Sequence, residues 1–240
     1  MPETLRGRRI LLAGGAGGLG RACAALLHAE GARLLISFRG NAEHAAQAAA
    51  FGEVIQADLT SAADRRRLLD TAAGLYGLVV LTGDPARAAA PEQMEDVLRR
   101  STDVNLIGPL LLAREAAARL REAEVPGAIV LVSTMQAMAL FPGSTAYAAP
   151  KAALLHAARI LAKECRGPAN IRVNVISPGV MQAGMAEASI ASGKYNRFVE
   201  EGAIPRFGRA ADVARAVRFL LEPDNYITGQ ALTIDGGLTL

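Results

Sequence analysis

The chain has 240 residues, of which 51% are hydrophobic and 24 are glycine, enough for a sizeable core buried on both faces of a sheet. Its 26 basic and 23 acidic residues leave a net charge of only +3, spread along the chain without a basic arm, which argues against a nucleic-acid partner. The longest apolar runs are strand-sized, Met1 to Arg9 lacks the apolar stretch of a secretion signal, and the two cysteines, Cys23 and Cys165, are far apart, so no membrane span, metal site or disulfide framework is expected, and the protein is expected to be cytoplasmic.

In chain order, the apolar run Ile10-Leu11-Leu12-Ala13 predicts a strand. It leads into Gly14-Gly15-Ala16-Gly17-Gly18-Leu19-Gly20 and then into a helical stripe of Leu19, Cys23, Leu26 and Leu27. Strand, glycine turn and helix in that order present free amides and the positive end of a helix dipole, which suits a phosphate; an ordinary tight turn is the plain alternative. Further strands are predicted near 34–38, 53–56, 78–81, 128–133, 171–176 and 231–234, separated by amphipathic helical stretches. Continuous apolar strands such as Ile129-Val130-Leu131-Val132 imply burial on both faces, and helical crossovers imply parallel pairing. The expected fold class is α/β, a doubly wound parallel sheet of about seven strands (a Rossmann fold), as one domain over 1–240. Ligands in such a fold lie beyond the carboxyl ends of the strands, where the glycine turn, Ser133-Thr134 and Ser177-Pro178-Gly179 would emerge.

Tyr147-Ala148-Ala149-Pro150-Lys151 places a phenol and an ammonium at i and i+4, on one helical face. A cation roughly 4 Å from a phenol, at an effective dielectric near 20, is worth about 4 kcal/mol, or roughly three pK units. Lys151 is therefore expected to bring Tyr147 down from the usual phenol range toward useful acid–base chemistry; a surface tyrosine beside a solvated lysine is the plain alternative. Pro150 lies inside that helix, removing one amide and crowding the preceding turn. If Ser144 or Thr145 caps the helix, Pro150 falls early in its second turn and the pair is expected to survive.

Together the glycine turn and Y-x-x-x-K resemble the short-chain dehydrogenase/reductase family, over nearly the whole chain. Ile204-Pro205-Arg206-Phe207-Gly208-Arg209 and Gly229-Gln230 most resemble its 3-oxoacyl-carrier-protein reductase branch. The resemblance implies an NAD(P)-dependent oxidoreductase acting on CH–OH or C=O groups, with Gly14, Gly18 and Gly20 on the family's three glycine positions and Gly17 and Leu19 in the same cofactor loop. Asp58, followed by Leu59, falls where an acidic residue holds the adenine; Gly83 is what survives of an N-N-A-G motif, here Val80-Leu81-Thr82-Gly83. Pro178, Gly179 and Val180 fall on the segment that meets the nicotinamide, and Asn105 on the helix-borne asparagine that anchors a water in the proton path. By the same resemblance, Tyr147 protonates an alkoxide as hydride reaches a carbonyl carbon, while Lys151 tunes Tyr147 and binds the nicotinamide ribose. The family's catalytic serine stands thirteen positions before the tyrosine, where this chain has Thr134, with Ser133 just ahead. A threonine hydroxyl can make the same hydrogen bond, so Thr134 is the preferred carbonyl holder and Ser133 the second candidate.

An acidic residue at the end of the second strand would bond the ribose 2′-OH; here Phe38 and Arg39 stand there, with Arg21 beside the glycine turn. A guanidinium suits a 2′-phosphate, so NADP(H) is favoured over NAD(H), a solvated Arg39 being the alternative. The expected substrate is a small-molecule or acyl-thioester carbonyl compound, reduced from ketone or β-ketoacyl thioester to secondary alcohol. Residues 180–207 read as a mobile lid that sets specificity, or as a plain surface helical insertion, and Arg206 or Arg209 as contacts for an acidic carrier protein unless simply solvated. A homotetramer is the assembly the resemblance implies. Ala13 and Ala183 replace two threonines of the family pattern and N-N-A-G is lost, which supports an alternative: a catalytically weak nucleotide-binding subunit with a regulatory or structural role.

Overall fold

The computed structural model describes residues 4–240, so the first three residues of the N-terminal stretch discussed above lie outside it. Seven strands form one sheet: β1 (Arg9–Ala13), β2 (Arg33–Phe38), β3 (Glu53–Gln56), β4 (Leu75–Val80), β5 (Gly127–Val132), β6 (Ile171–Pro178) and β7 (Ala231–Ile234). Their order is β3-β2-β1-β4-β5-β6-β7, and every neighbouring pair is parallel. The helices are α1 (Gly18–Ala29), α2 (Ala42–Ala48), α3 (Ala62–Thr71), α4 (Met94–Thr102), α5 (Gly108–Glu122), α6 (Thr145–Glu164), α7 (Glu187–Ala191), α8 (Arg197–Glu200) and α9 (Ala210–Leu221).

Alternation along each strand feeds two cores, one on each sheet face. Leu11, Leu35, Leu78, Ile129 and Leu131 pack with Leu68 of α3, Leu112 and Leu120 of α5, and Leu154 and Leu161 of α6. Ile10, Leu12, Ile36, Val79 and Val130 pack on the other side with Cys23 and Leu27 of α1 and Val213, Val217 and Leu220 of α9. This two-sided burial is what the continuous apolar strands require. Truncating Leu11 or Leu12, both fully buried, to alanine would cost about 2–5 kcal/mol.

Two strand boundaries differ from the sequence reading by more than one residue. β4 begins at Leu75 rather than near 78, running through Gly77, a residue that reads as a break. A Cβ there would stand 3.2 Å from Ile10 Cγ1 and from Leu221 Cδ2, so glycine is used for close packing and the strand continues. β6 runs on to Pro178, two residues past the expected end, because Ser177 and Pro178 still pair with Thr233 and Ile234 of β7.

The order of strands reverses between β1 and β4, opening a crevice at their carboxyl ends. The segment 180–207 holds a 3₁₀ turn (Gly184–Ala186), α7 and α8. Its base is pinched shut by Gly208 N–H donating to Val180 O at 2.9 Å and Gln182 N–H to Gly208 O at 2.7 Å. Among the described residues no helix is long and apolar enough to cross a membrane, and Cys23 and Cys165 are both free thiols in the core.

Candidate active site

Gly14 leaves β1 with φ +76°, a left-handed conformation that favours glycine, and its N–H donates to Ser37 Oγ at 3.0 Å. The turn then doubles back so tightly that a Cβ on Gly20 would stand 2.4 Å from the Gly15 carbonyl oxygen. Gly17 caps α1 without a side-chain bond, and no acidic residue lies in the first turn. The positive end of the helix is therefore left uncompensated by its own first turn. Leu19 is half-buried against the α1 core. Across the crevice, a Cβ on Gly14 would touch Thr82 Cγ2 at 2.9 Å, and one on Gly18 would meet Gly184 N at 2.8 Å. The start of the 180–207 segment thus lies directly against the glycine turn.

Thr82 Oγ1 and Arg21 Nη1 are buried polar atoms with no protein partner, one beneath Gly14 and the other on the first turn of α1. An anion-attracting turn without side chains, with two unmet polar groups beside it, fits the diphosphate of a dinucleotide. Arg39 follows β2 on the same side of the sheet; it is exposed, its carbonyl accepts Gln56 Nε2 at 2.8 Å, and its charge reaches Asp84. Asp58 Oδ1 is engaged by Thr60 N–H and Thr60 Oγ1, each at 2.9 Å. Leu59 is buried, its carbonyl held by Arg65 Nη1 at 2.8 Å, so the Asp58-Leu59 loop is fixed in place by a buried arginine. Pro178 ends β6, and Gly179 lies so close to β7 that its Cβ would meet Asp235 Cβ at 2.6 Å. Val180 is buried.

Tyr147 sits in the first turn of α6, and Thr134 is the second residue past the end of β5. Burial pushes the Tyr147 phenol above its usual pKa, and the Thr134 hydroxyl pulls it partly back. Thr134 Oγ1 also accepts Gln136 N–H at 3.3 Å. Ser133 is separated from this pair: its hydroxyl donates to the Lys151 carbonyl at 2.9 Å, buried between β5 and α6. Of the two candidate hydroxyls, Thr134 is the one the fold turns toward Tyr147.

Lys151 is 2% exposed and donates through Nζ to Val132 O at 2.8 Å, at the end of β5, and to Thr82 O at 3.2 Å, two residues past β4. Burial lowers its pKa from 10.5 to about 7. The expectation that a charged Lys151 depresses the Tyr147 phenol is thereby corrected. Both groups are desolvated, so the amine gives up its charge near neutrality and the phenol moves up instead of down. Ser144 stands at the N-cap position of α6, yet its hydroxyl donates to Phe141 O at 2.7 Å and does not cap the helix.

Asn105 lies fully buried in a π-helical turn, Asp103–Ile107, between α4 and α5. Its Oδ1 accepts Asp84 N–H at 3.0 Å, and its Nδ2 donates to Asp84 O at 2.9 Å and to Ser101 Oγ at 2.8 Å. Both amide protons are used in this way, while Oδ1, 3.4 Å from where a Cβ on Gly83 would stand, keeps a second lone pair. Asp84 is in turn gripped by Arg100 at 2.9 Å; burial pushes its carboxyl up, and the Arg100 bond, the Ala86 amide and the charges of Arg100 and Arg39 together hold it below the usual carboxylate range. Gly83 lies at the centre: a Cβ there would approach Met185 Cε at 3.3 Å, Asn105 Oδ1 at 3.4 Å and Lys151 Nζ at 3.9 Å. Asn105, Lys151 and Met185 of the 180–207 segment therefore surround one point on the crevice floor. Arg206, read from sequence as a carrier-protein contact or a solvated residue, is half-exposed and paired with Asp212 at 2.8 Å. Ser101, Asp84 and Arg100 went unread in the sequence, although a hydroxyl one helical turn before a buried asparagine is a legible signal.

Residues 14–239 match the family described as enoyl-(acyl carrier protein) reductase. The chain is 30% identical over 244 residues to a 3-oxoacyl-[acyl-carrier-protein] reductase of Rickettsia conorii, covering 98% of each chain. It is 30% identical over 260 residues to a chloroplastic NADPH-dependent aldehyde reductase-like protein of Arabidopsis thaliana, covering 98% of this chain and 96% of that one. Its fold superposes on a short-chain dehydrogenase/reductase of Serratia marcescens with a TM-score of 0.89 at 29% identity, covering 99% of this chain and all of the other. Matched over almost its whole length, and with its glycine turn, Tyr147 and Lys151 gathered around one crevice, the chain belongs to the short-chain dehydrogenase/reductase family of NAD(P)-binding oxidoreductases.

Proposed function

We propose that this oxidoreductase reduces a ketone or β-ketoacyl thioester to the secondary alcohol, with NADPH as the favoured reductant. The observation that carries the reading is the pairing of the Tyr147 phenol with the Thr134 hydroxyl, with the buried Lys151 one turn further along the same helix. A phenol with a raised pKa stays protonated at neutral pH, as a proton donor to a carbonyl oxygen must. Thr134 holds that oxygen by a hydrogen bond and orients it toward Tyr147. When bound, the nicotinamide supplies the hydride, which adds its two electrons to the carbonyl carbon. Tyr147 gives its proton to the oxygen and is left as phenolate. Lys151, one turn along the helix and titrating near 7, is suited to return that proton. Asn105 holds the 83–84 loop in place, and Ser133 fixes the helix that carries Tyr147 and Lys151.

The preference for NADPH is supported by Arg39 at the end of β2, where no acidic residue opposes a 2′-phosphate, and by an Arabidopsis relative named for NADPH. A β-ketoacyl thioester is supported by the Rickettsia relative. We read residues 180–207 as a lid of the single domain: its Met185 overhangs Gly83, and Arg87 Nη2 reaches Met185 O at 3.4 Å and Ser189 Oγ at 3.3 Å. A homotetramer is supported by exposed Leu111 and Ile160 on α5 and α6 and Leu232 on β7, and a cytoplasmic setting by two free thiols. The test is to supply NADPH deuterated at the transferring position with acetoacetyl-CoA and a cyclic ketone. Deuterium on the carbinol carbon of a product supports the reading; NADPH binding with no transfer to any carbonyl in a broad panel would favour a nucleotide-binding subunit without turnover.

A further inference from the structure

The geometry points to Ser101 as a positioning residue whose hydroxyl stands in for the amide missing at Pro150 and locks the Asn105 turn to the helix of Tyr147. Within α6 the carbonyl of Ala146 should accept the N–H of residue 150, but proline has none. A buried carbonyl left without a donor is costly, and Ala146 is buried. The missing donor comes from another helix: Ser101 Oγ of α4 donates to Ala146 O at 2.6 Å. The same oxygen accepts Asn105 Nδ2 at 2.8 Å, so donor and acceptor roles of one hydroxyl are both used. Ser101 is fully buried, and no water is needed to complete the chain of bonds.

The chain of bonds has a direction that matters for the site. From Ala146, the residue preceding Tyr147, it passes through Ser101 to Asn105 and from there to both backbone atoms of Asp84, beside Gly83 and Lys151. Two features that look unrelated in sequence are thus halves of one device. Pro150 opens a valence on the first turn of α6, and Ser101 closes it with a group already committed to Asn105. An ordinary amide at position 150 would satisfy Ala146 within its own helix and leave α6 coupled to α4 by packing alone. Ser101 touches no reacting atom; it sets where Tyr147 stands relative to the 82–84 loop. This inference rests on the reading of Tyr147 as proton donor.

The experiment is a double-mutant cycle of Ser101→Ala and Pro150→Ala, read by Tm and by kcat and KM with NADPH and a ketone the wild-type chain turns over. With Pro150 in place, Ser101→Ala is expected to lower Tm by roughly 4 °C or more, and in the Pro150→Ala background by less than half of that, because the restored amide takes the Ala146 carbonyl. Ser101→Ala is also expected to cut kcat roughly tenfold with KM little changed, and Pro150→Ala in the same chain to recover most of the loss. Equal Tm drops in both backgrounds would overturn the stand-in role whether or not turnover is seen. An unchanged kcat in a Ser101→Ala chain whose Tm has fallen would overturn the positioning role. If Ser101→Ala does not fold, recovery of a folded chain by Pro150→Ala supports the inference and failure to recover it counts against it. A wild-type chain that turns over no carbonyl compound refutes the underlying reading instead, and the Tm cycle still decides the bond.

Discussion

The Ser133 hydroxyl donates to the main-chain carbonyl of Lys151 at 2.9 Å, tying the end of β5 to the middle of α6. Because that hydroxyl is consumed in the interior, the neighbouring Thr134 is the one available at Tyr147. Adjacent residues on an extended segment point to opposite sides, so one becomes a strut and the other faces the crevice.

The two hydroxyls should therefore fail differently. Thr134→Val is expected to lower kcat/KM roughly 100-fold with Tm nearly unchanged, while Thr134→Ser keeps most activity because the hydroxyl remains. Ser133→Ala removes a buried hydrogen bond to a carbonyl that keeps its helical amide, and should cost about 0.5–1.5 kcal/mol of stability, seen in urea melts, with a smaller loss of kcat. The reverse pattern, with Ser133→Ala inactive and stable, would exchange the roles.

Lys151 makes stability depend on pH with a definite sign. Its pKa is 10.5 in the open chain and about 7 when folded, so between those values unfolding takes up a proton. The burial penalty is complete below about pH 7, shrinks as pH rises through the window and is gone above 10.5. Other groups titrate in the same range, so the useful quantity is the stability of wild type minus that of Lys151→Met. That difference should rise as pH goes from about 7 toward 10.5; a flat difference would mean the amine keeps its charge in the fold.

Arg39 should decide between the two nicotinamide cofactors. Replacing it with aspartate removes a guanidinium suited to a 2′-phosphate and adds an acceptor for a 2′-OH at the end of β2. The ratio of kcat/KM for NADPH over NADH is expected to fall roughly 100-fold. An unchanged ratio would make Arg39 a bystander.

The sheet was legible in the sequence because each strand is short, apolar and bounded by turn residues, and the order of motifs along the chain matches their convergence at the strand ends. Strand limits were less so: Gly77 reads as a break because sequence does not show that Ile10 and Leu221 press against it. Tyr147 and Lys151 were legible by spacing, Thr134 and Asn105 only through the family resemblance. Their electrostatics were not, since i and i+4 spacing gives proximity but not solvent access, and burial reversed the expected direction for the phenol. The separation of Ser133 from Thr134 needed the alternation of an extended backbone to be anchored in space. Ser101 escaped notice because its partner is a carbonyl exposed only by a proline about fifty positions away in sequence.

The central claim, that Tyr147 donates the proton to a carbonyl compound in this crevice, is met most directly by Tyr147→Phe, measured for kcat/KM with NADPH and for NADPH affinity in the same preparation. The account predicts a loss of roughly 1,000-fold or more in kcat/KM with NADPH binding little changed. Retention of more than a tenth of the wild-type kcat/KM would contradict it.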